Sequence, residues 1–274
     1  MIVARPRLRS QTRAVASWLI VGCGYTGGAL ARRLVGEGHD VAITRRDAAA
    51  ARATAAAIAP RVTAIALDLA RPAALPACDV IAWCAPPGAD PRAELALALA
   101  PRVVYVSSTG VYPPAGGAWV DERWPVAPAT AAGRARAAAE AALPAGAIAL
   151  RAAGIYGPGR MLADRIRAGG YRIVGDGASH VSRIHVEDLV TAIVRAGACA
   201  LAGPVNCADD DPAPIGEVAD AIAARLGLPP PPRVPAASVD PELAGMLTAD
   251  RRIANGRMKR ELGVALRYPS WRDA

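Results

Sequence analysis

Phenylalanine is absent from the 274 residues, and lysine occurs once, at Lys259. Positive charge is therefore carried almost entirely by arginine, which stays ionised and is a poor proton shuttle. No apolar run reaches the roughly 18 residues of a membrane helix, although 53% of the chain is hydrophobic. The five cysteines are odd in number and show no CxxC spacing, which argues against a zinc site or a disulfide framework. They read as small buried residues of a reducing cytoplasm. The net charge is +8, but no basic stripe interleaved with aromatics accompanies it, so neither nucleic-acid nor membrane binding is expected. Four of those charges, Arg5, Arg7, Arg9 and Arg13, fall in an acid-free leader. That leader lacks the apolar stretch and cleavage site of a secretory signal, and residues 1–16 read as a disordered basic extension.

What is present from Trp18 onward is an alternation of short apolar runs with alanine-rich amphipathic stretches, the rhythm of βαβ units around a parallel sheet. Strands are expected at 18–21, 40–44, 62–66, 79–84, 102–106 and 147–151. Helices are expected at 26–37, after Asp47, and at 133–143, 186–196, 215–226 and 249–262. Past residue 153 glycine and proline become frequent and the elements shorten, as in a loop-rich lobe. Pro229 to Pro232 reads as a stiff connection inside it. The expected architecture is α/β: a Rossmann-type doubly wound parallel sheet over residues 17–153 and a smaller substrate-binding lobe over 154–274, interleaved with the last sheet elements.

The glycine run Gly22-Cys23-Gly24-Tyr25-Thr26-Gly27 directly follows the first strand and opens the first helix, the context in which GxGxxG signals a dinucleotide site. Gly22 makes the tight turn, Gly24 lets backbone approach a pyrophosphate, and Gly27 lets helix and strand pack closely. The amides at Tyr25 and Thr26 then face the phosphates at the positive end of the helix dipole. At the end of the second strand, where an acid would hold the ribose of NAD, stand Thr44, Arg45 and Arg46. A hydroxyl and guanidinium groups suit a 2′-phosphate, so NADP(H) is expected over NAD(H). Asp68 and Leu69, after the third strand, read as an adenine contact, with a helix cap the alternative for Asp68.

Four segments together, in order, resemble the extended short-chain dehydrogenase/reductase superfamily, the NAD-dependent epimerase/dehydratase group. They are the glycine loop, Val104 to Tyr112, Leu150 to Gly159, and Arg183 to Asp188. The closest likeness is to its atypical branch. The resemblance places Cys84, Ala85 and Ser107 beside the cofactor and Ser108 at the family's catalytic serine. The family's YxxxK motif, whose tyrosine moves the proton and whose lysine lowers its pKa, is missing. Its positions hold Ala132 and Arg136, and no tyrosine has a lysine four residues on. The family's asparagine after the fourth strand is also absent, since only Asn206 and Asn255 occur.

Candidate catalytic groups are therefore Ser108, Tyr112, Arg136 and Tyr156. Ser108 orients a carbonyl or forms a turn. Arg136 holds the ribose or a substrate anion, or pairs with Glu140 four residues on. His185, at a helix start, points to a structural hydrogen bond. Asp209-Asp210-Asp211 lacks metal-loop spacing and reads as a solvated turn, so no metal is expected. The expected function is an NADP(H)-dependent oxidoreductase, or an epimerase/dehydratase-like enzyme, on a small carbonyl or sugar-type substrate in the cytoplasm, in a chain able to pair as a homodimer. The alternative is a non-catalytic NADP(H)-binding sensor.

Overall fold

The computed structural model describes residues 15–71, 74–96 and 98–273; most of the expected basic extension lies outside them. Seven strands form one sheet: β1 (Ser17–Val21), β2 (Asp40–Arg45), β3 (Thr63–Ala66), β4 (Val80–Trp83), β5 (Arg102–Ser108), β6 (Ile148–Ala152) and β7 (Gly203–Cys207). All their pairings are parallel, and the spatial order is β7-β6-β5-β4-β1-β2-β3. This is the doubly wound order, which reverses between β1 and β4 and leaves a crevice over their carboxyl ends.

Alternation along β1 explains the layers. Trp18 and Ile20 join one core cluster, with Leu30 and Leu34 of α1 (Tyr25–Gly36) and Leu189 and Ile193 of α6 (Val186–Gly197). Leu19 and Val21 join the other, with Leu95 of α3 (Pro91–Leu95) and Ala139 of α4 (Ala131–Ala141). Because helices cover both faces, β4 and β6 are buried at every position, as strands in a parallel sheet require. Helix α2 (Ala48–Ile58) is capped by Asp47, whose carboxylate accepts from the Ala50 N–H. Among the described residues no helix is long and apolar enough to cross a membrane.

Past β6 lie α5 (Leu162–Arg167), α7 (Ile215–Arg225), α8 (Pro241–Leu247) and short paired strands at the end of the sheet, here called the lobe, while α9 (Gly256–Glu261) returns to the sheet, its Met258 buried in the core cluster of Trp18 and Ile20. Two expectations need correction here. Residues 249–262 are not one helix: Arg252–Ile253 pairs with Trp119–Val120, and only Gly256–Glu261 is helical. Asp250 takes a left-handed φ of 45° because its carboxylate accepts the His180 N–H at 2.7 Å and meets the His180 ring at 2.8 Å. Tertiary bonding thus overrides helical propensity. The seventh strand, β7, opens on Gly203-Pro204, residues that weaken a strand signal; Pro204 is tolerated because β7 is the sheet edge.

Candidate active site

The glycine loop is built by close backbone approach. Gly22 has a φ of 86°, and a Cβ there would lie 2.6 Å from the Ala85 nitrogen. A Cβ on Gly27 would lie 2.6 Å from the Gly22 carbonyl oxygen. Above Gly24, by contrast, a Cβ would meet nothing within 4 Å. Helix α1 has no side-chain cap and no acid in its first turn, so its first amides face open space, as an anion site needs. The Tyr25 ring lies under the Arg160 guanidinium, 4.3 Å from its centroid, joining loop to lobe.

At the end of β2 the three expected phosphate contacts separate. Thr44 is buried, and its hydroxyl accepts the Gly22 N–H at 2.9 Å. It therefore supports the loop from below instead of facing a ligand. Arg45 lies across the loop, donating to the Cys23 carbonyl at 2.8 Å. It borders a groove with Gly24, Gly28 and Arg32, in which the described residues place no carboxylate. Arg46 is exposed and outside that groove. Arg32, exposed on α1, also borders the groove; eight residues after Gly24, it is brought round by two turns of the helix. Asp68 accepts the Ala70 N–H at 3.1 Å and caps a local turn, while Leu69 packs against the core.

The Cys84 and Ala85 amides both donate to the Val21 carbonyl, at 2.8 and 2.9 Å, fixing β4 beside the loop. Burial pushes the Cys84 thiol up to about 12, which leaves it unreactive. Ser107 donates to Glu140 at 2.6 Å. Ser108 accepts the Gly110 N–H at 3.0 Å and caps a single 3₁₀ turn.

Arg136 donates to the Val106 carbonyl at 2.7 Å and to the Tyr105 hydroxyl at 3.3 Å. Glu140 is instead held by both ends of the Arg151 guanidinium. Arg151 in turn donates to the Tyr112 hydroxyl at 2.9 Å, and Tyr112 donates to Asn206 at 2.7 Å. Tyr112 is 1% exposed and does not line the cavity described next, so the buried network withholds it from any substrate there.

That cavity, about 460 Å³, lies between the carboxyl edge of β5 and the lobe. Of the four catalytic candidates its walls include Ser108 and Tyr156. The Tyr156 hydroxyl makes one long bond, to the Ser270 carbonyl at 3.4 Å. Burial and then the nearby Asp209 carboxylate push this phenol up, so it keeps its proton. Sequence reading missed Tyr171 and Trp271, which also line the cavity. His185 caps α6, accepting the Glu187 N–H at 3.3 Å, and its ring lies 3.7 Å from that of Tyr268. Burial lowers its pKa.

The acidic run is not a solvated turn. Asp209 is 1% exposed, its N–H donates to the Arg183 carbonyl at 2.6 Å, and its Oδ2 is buried with no hydrogen-bond partner among the described residues. Asp210 accepts from the Lys259 ammonium at 2.6 Å, and Asp211 accepts from Ser270 at 2.6 Å. Among the described residues no cluster of His, Cys, Asp and Glu is arranged to hold a metal.

A doubly wound sheet, a glycine loop closing over a helix N-terminus and a cavity at the sheet's carboxyl edge together define an NAD(P)-binding Rossmann protein. Parts of the chain match two families of such proteins. Residues 79–206 match the NAD dependent epimerase/dehydratase family, and residues 18–109 match the family described as NADP oxidoreductase coenzyme F420-dependent. A 3-diazoavenalumate denitrifying reductase from a Streptomyces species is 38% identical over 135 residues, 45% of this chain and 44% of that protein. The match thus spans less than half the relative's length. Among solved structures, a conserved protein of unknown function from Silicibacter pomeroyi is 31% identical, with 94% of this chain and 96% of that one covered and a TM-score of 0.79. The human epimerase family protein SDR39U1, solved with NADPH, shares the fold at 21% identity, with 94% and 97% covered and a TM-score of 0.76.

Proposed function

We propose that this chain is an NADP(H)-dependent reductase that works without the Tyr–Lys relay of its family. The observation that carries the cofactor preference is the groove beside Gly24, where Arg32 and Arg45 stand and no described residue supplies a carboxylate. A 2′-phosphate meets charge-assisted donors there, whereas the acid that would grip an NAD ribose is missing. The amides at the start of α1 hold the pyrophosphate, and Thr44 holds the loop that presents them. Titration of NADPH and NADH by calorimetry tests this reading; NADH binding as tightly as NADPH overturns it.

When bound, a reduced nicotinamide supplies a hydride. The chain's part is to hold the acceptor and deliver a proton where one is needed. Ser108 accepts from Gly110 and keeps its own O–H for a substrate acceptor. Tyr156 is the one catalytic candidate among the phenols that lines the cavity, and its raised pKa leaves it a donor at neutral pH. The Streptomyces relative's being a reductase supports reduction over epimerisation. We place the protein in the cytoplasm, a reading supported by five free cysteines.

A second reading, a non-catalytic NADP(H) sensor, is favoured by the engagement of Tyr112 and Arg136 in fixed internal bonds. Loss of NADPH absorbance on screening organic acceptors supports the enzyme. Tight NADPH binding with no oxidation across the screen supports the sensor.

A further inference from the structure

The cavity beside Ser108 has a charge balance that its role as a general reductase site leaves unexplained. Five arginines border it: Arg160, Arg165, Arg183, Arg225 and Arg251. Among the described residues, none of the five forms an ion pair. Three make cation–π contacts: Arg160 on Tyr25, Arg165 on Tyr171 and Arg225 on Trp271. Arg251 donates to the Tyr112 carbonyl. Arg183 has one buried guanidinium nitrogen, Nη1, with no hydrogen-bond partner among the described residues, and the Asp209 carboxyl lies near its guanidinium, outside the cavity lining. Against these five charges the walls set one carboxylate, Asp250, which is already paired with His180 at 2.8 Å.

The remaining lining is equally selective. Tyr171, Trp271, Ile222, Leu226 and Met246 make one wall largely apolar; the neutral polar groups are the hydroxyls of Ser108, Thr109, Tyr156, Tyr171 and Ser182 and the His180 ring, and among the described residues no asparagine, glutamine, glutamate or lysine faces the space. A sugar ring needs paired donors and acceptors for its hydroxyls, because each one buried without a partner is disfavoured. An apolar or aromatic body with one anionic end has no such need. It buries its body against the apolar wall and pairs its charge with a guanidinium, whose fork matches a carboxylate.

We infer that this site takes a hydrophobic organic carboxylate, with the half-buried Arg183 in its wall as the anchor of its anionic end. The three exposed arginines, Arg160, Arg165 and Arg225, form a rim that draws the anion in. The inference rests on the reductase reading only in treating this cavity as the substrate site.

The test is calorimetric titration of the full chain with trans-cinnamate, 1-naphthoate and decanoate, each against its own primary amide, and with UDP-glucose. At least one acid is expected to bind roughly tenfold or more tightly than its amide, with UDP-glucose weaker than that acid. The Arg183→Gln variant should lose roughly ten- to hundredfold for the acid, the range of a charged hydrogen bond, and little for the amide. Equal binding of each acid and its amide overturns the inference, as does silence from all three acids or tighter binding of UDP-glucose. Should Arg183→Gln fail to fold, the acid-to-amide comparison in the unaltered chain decides alone. NADPH titration of the same sample reports separately on the reductase reading: loss of NADPH binding with the acid preference retained refutes that reading and leaves this one standing.

Discussion

Asp209 offers the most quantitative perturbation. The residue is 1% exposed and its Oδ2 lacks a partner among the described residues, and burial pushes the carboxyl from an ordinary 3.8 up to about 8 even with Arg183 nearby to pull it down. At neutral pH the native chain keeps this proton while the unfolded chain has lost it. The sign follows from linkage: a carboxyl that binds its proton more tightly when folded makes stability fall as pH rises from about 4 to about 8. Each pH unit of difference is worth about 1.4 kcal/mol, so the cost at pH 8 is roughly 5 kcal/mol. Asp209→Asn keeps the shape of the protonated acid and does not titrate. Its advantage over the native chain should therefore grow from about 1 or 2 kcal/mol at pH 5 to roughly 5 kcal/mol at pH 8. Thermal unfolding followed by circular dichroism at pH 5, 6.5 and 8 reads this as a widening gap in Tm, on the order of 10 °C at the alkaline end. A gap that stays constant or narrows as pH rises refutes the reasoning.

Other outcomes follow from the same geometry. Arg45→Ala should weaken NADPH roughly ten- to hundredfold and NADH little, as read by calorimetry, since a charged hydrogen bond contributes about 1.5 to 3 kcal/mol. Gly27→Ala puts a methyl against the Gly22 carbonyl, and overpacking of this kind costs about 1 to 3 kcal/mol; a Tm drop of several degrees should accompany weaker cofactor binding, and an unchanged Tm would show that the loop yields freely. Tyr156→Phe removes one hydroxyl from the cavity wall. If that hydroxyl delivers the proton, turnover on any substrate found should fall about 10²- to 10⁴-fold with NADPH affinity intact.

Much of this was legible in the chain itself, for a physical reason: the glycine loop and the strands beside it are local. Gly22, Gly24 and Gly27 act through neighbours a few residues away or through β4, whose apolar run announces it. Thr44 and Arg45 were recognisable as residue types, but their directions were not. Which one faces a ligand depends on the loop that closes over Thr44 from 22 residues earlier. The network through Glu140, Arg151, Tyr112 and Asn206 was invisible because its links join positions up to 94 residues apart. The acidic run misled for the same reason. Charge and a following proline suggest solvent, while the bond from Asp209 to the Arg183 carbonyl carries the first aspartate inside. The arginines of the cavity come from four separate stretches of the chain, and no spacing announces that they border one space.

The late position of β7 has a consequence for how the chain is made. A ribosome that has delivered residues up to Ala152 has released six of the seven strands, and β6 then stands as the growing sheet's margin with its outer N–H and C=O groups unmatched. About fifty more residues must emerge before Gly203–Cys207 can cover that margin. During that interval the nascent chain presents a buried-type strand, Ile148 to Ala152, to whatever is nearby. Exposed apolar edges of this kind pair readily with other chains. A chain released early, after β6 and before β7, is therefore expected in the aggregated fraction, even though it carries every residue of the glycine loop.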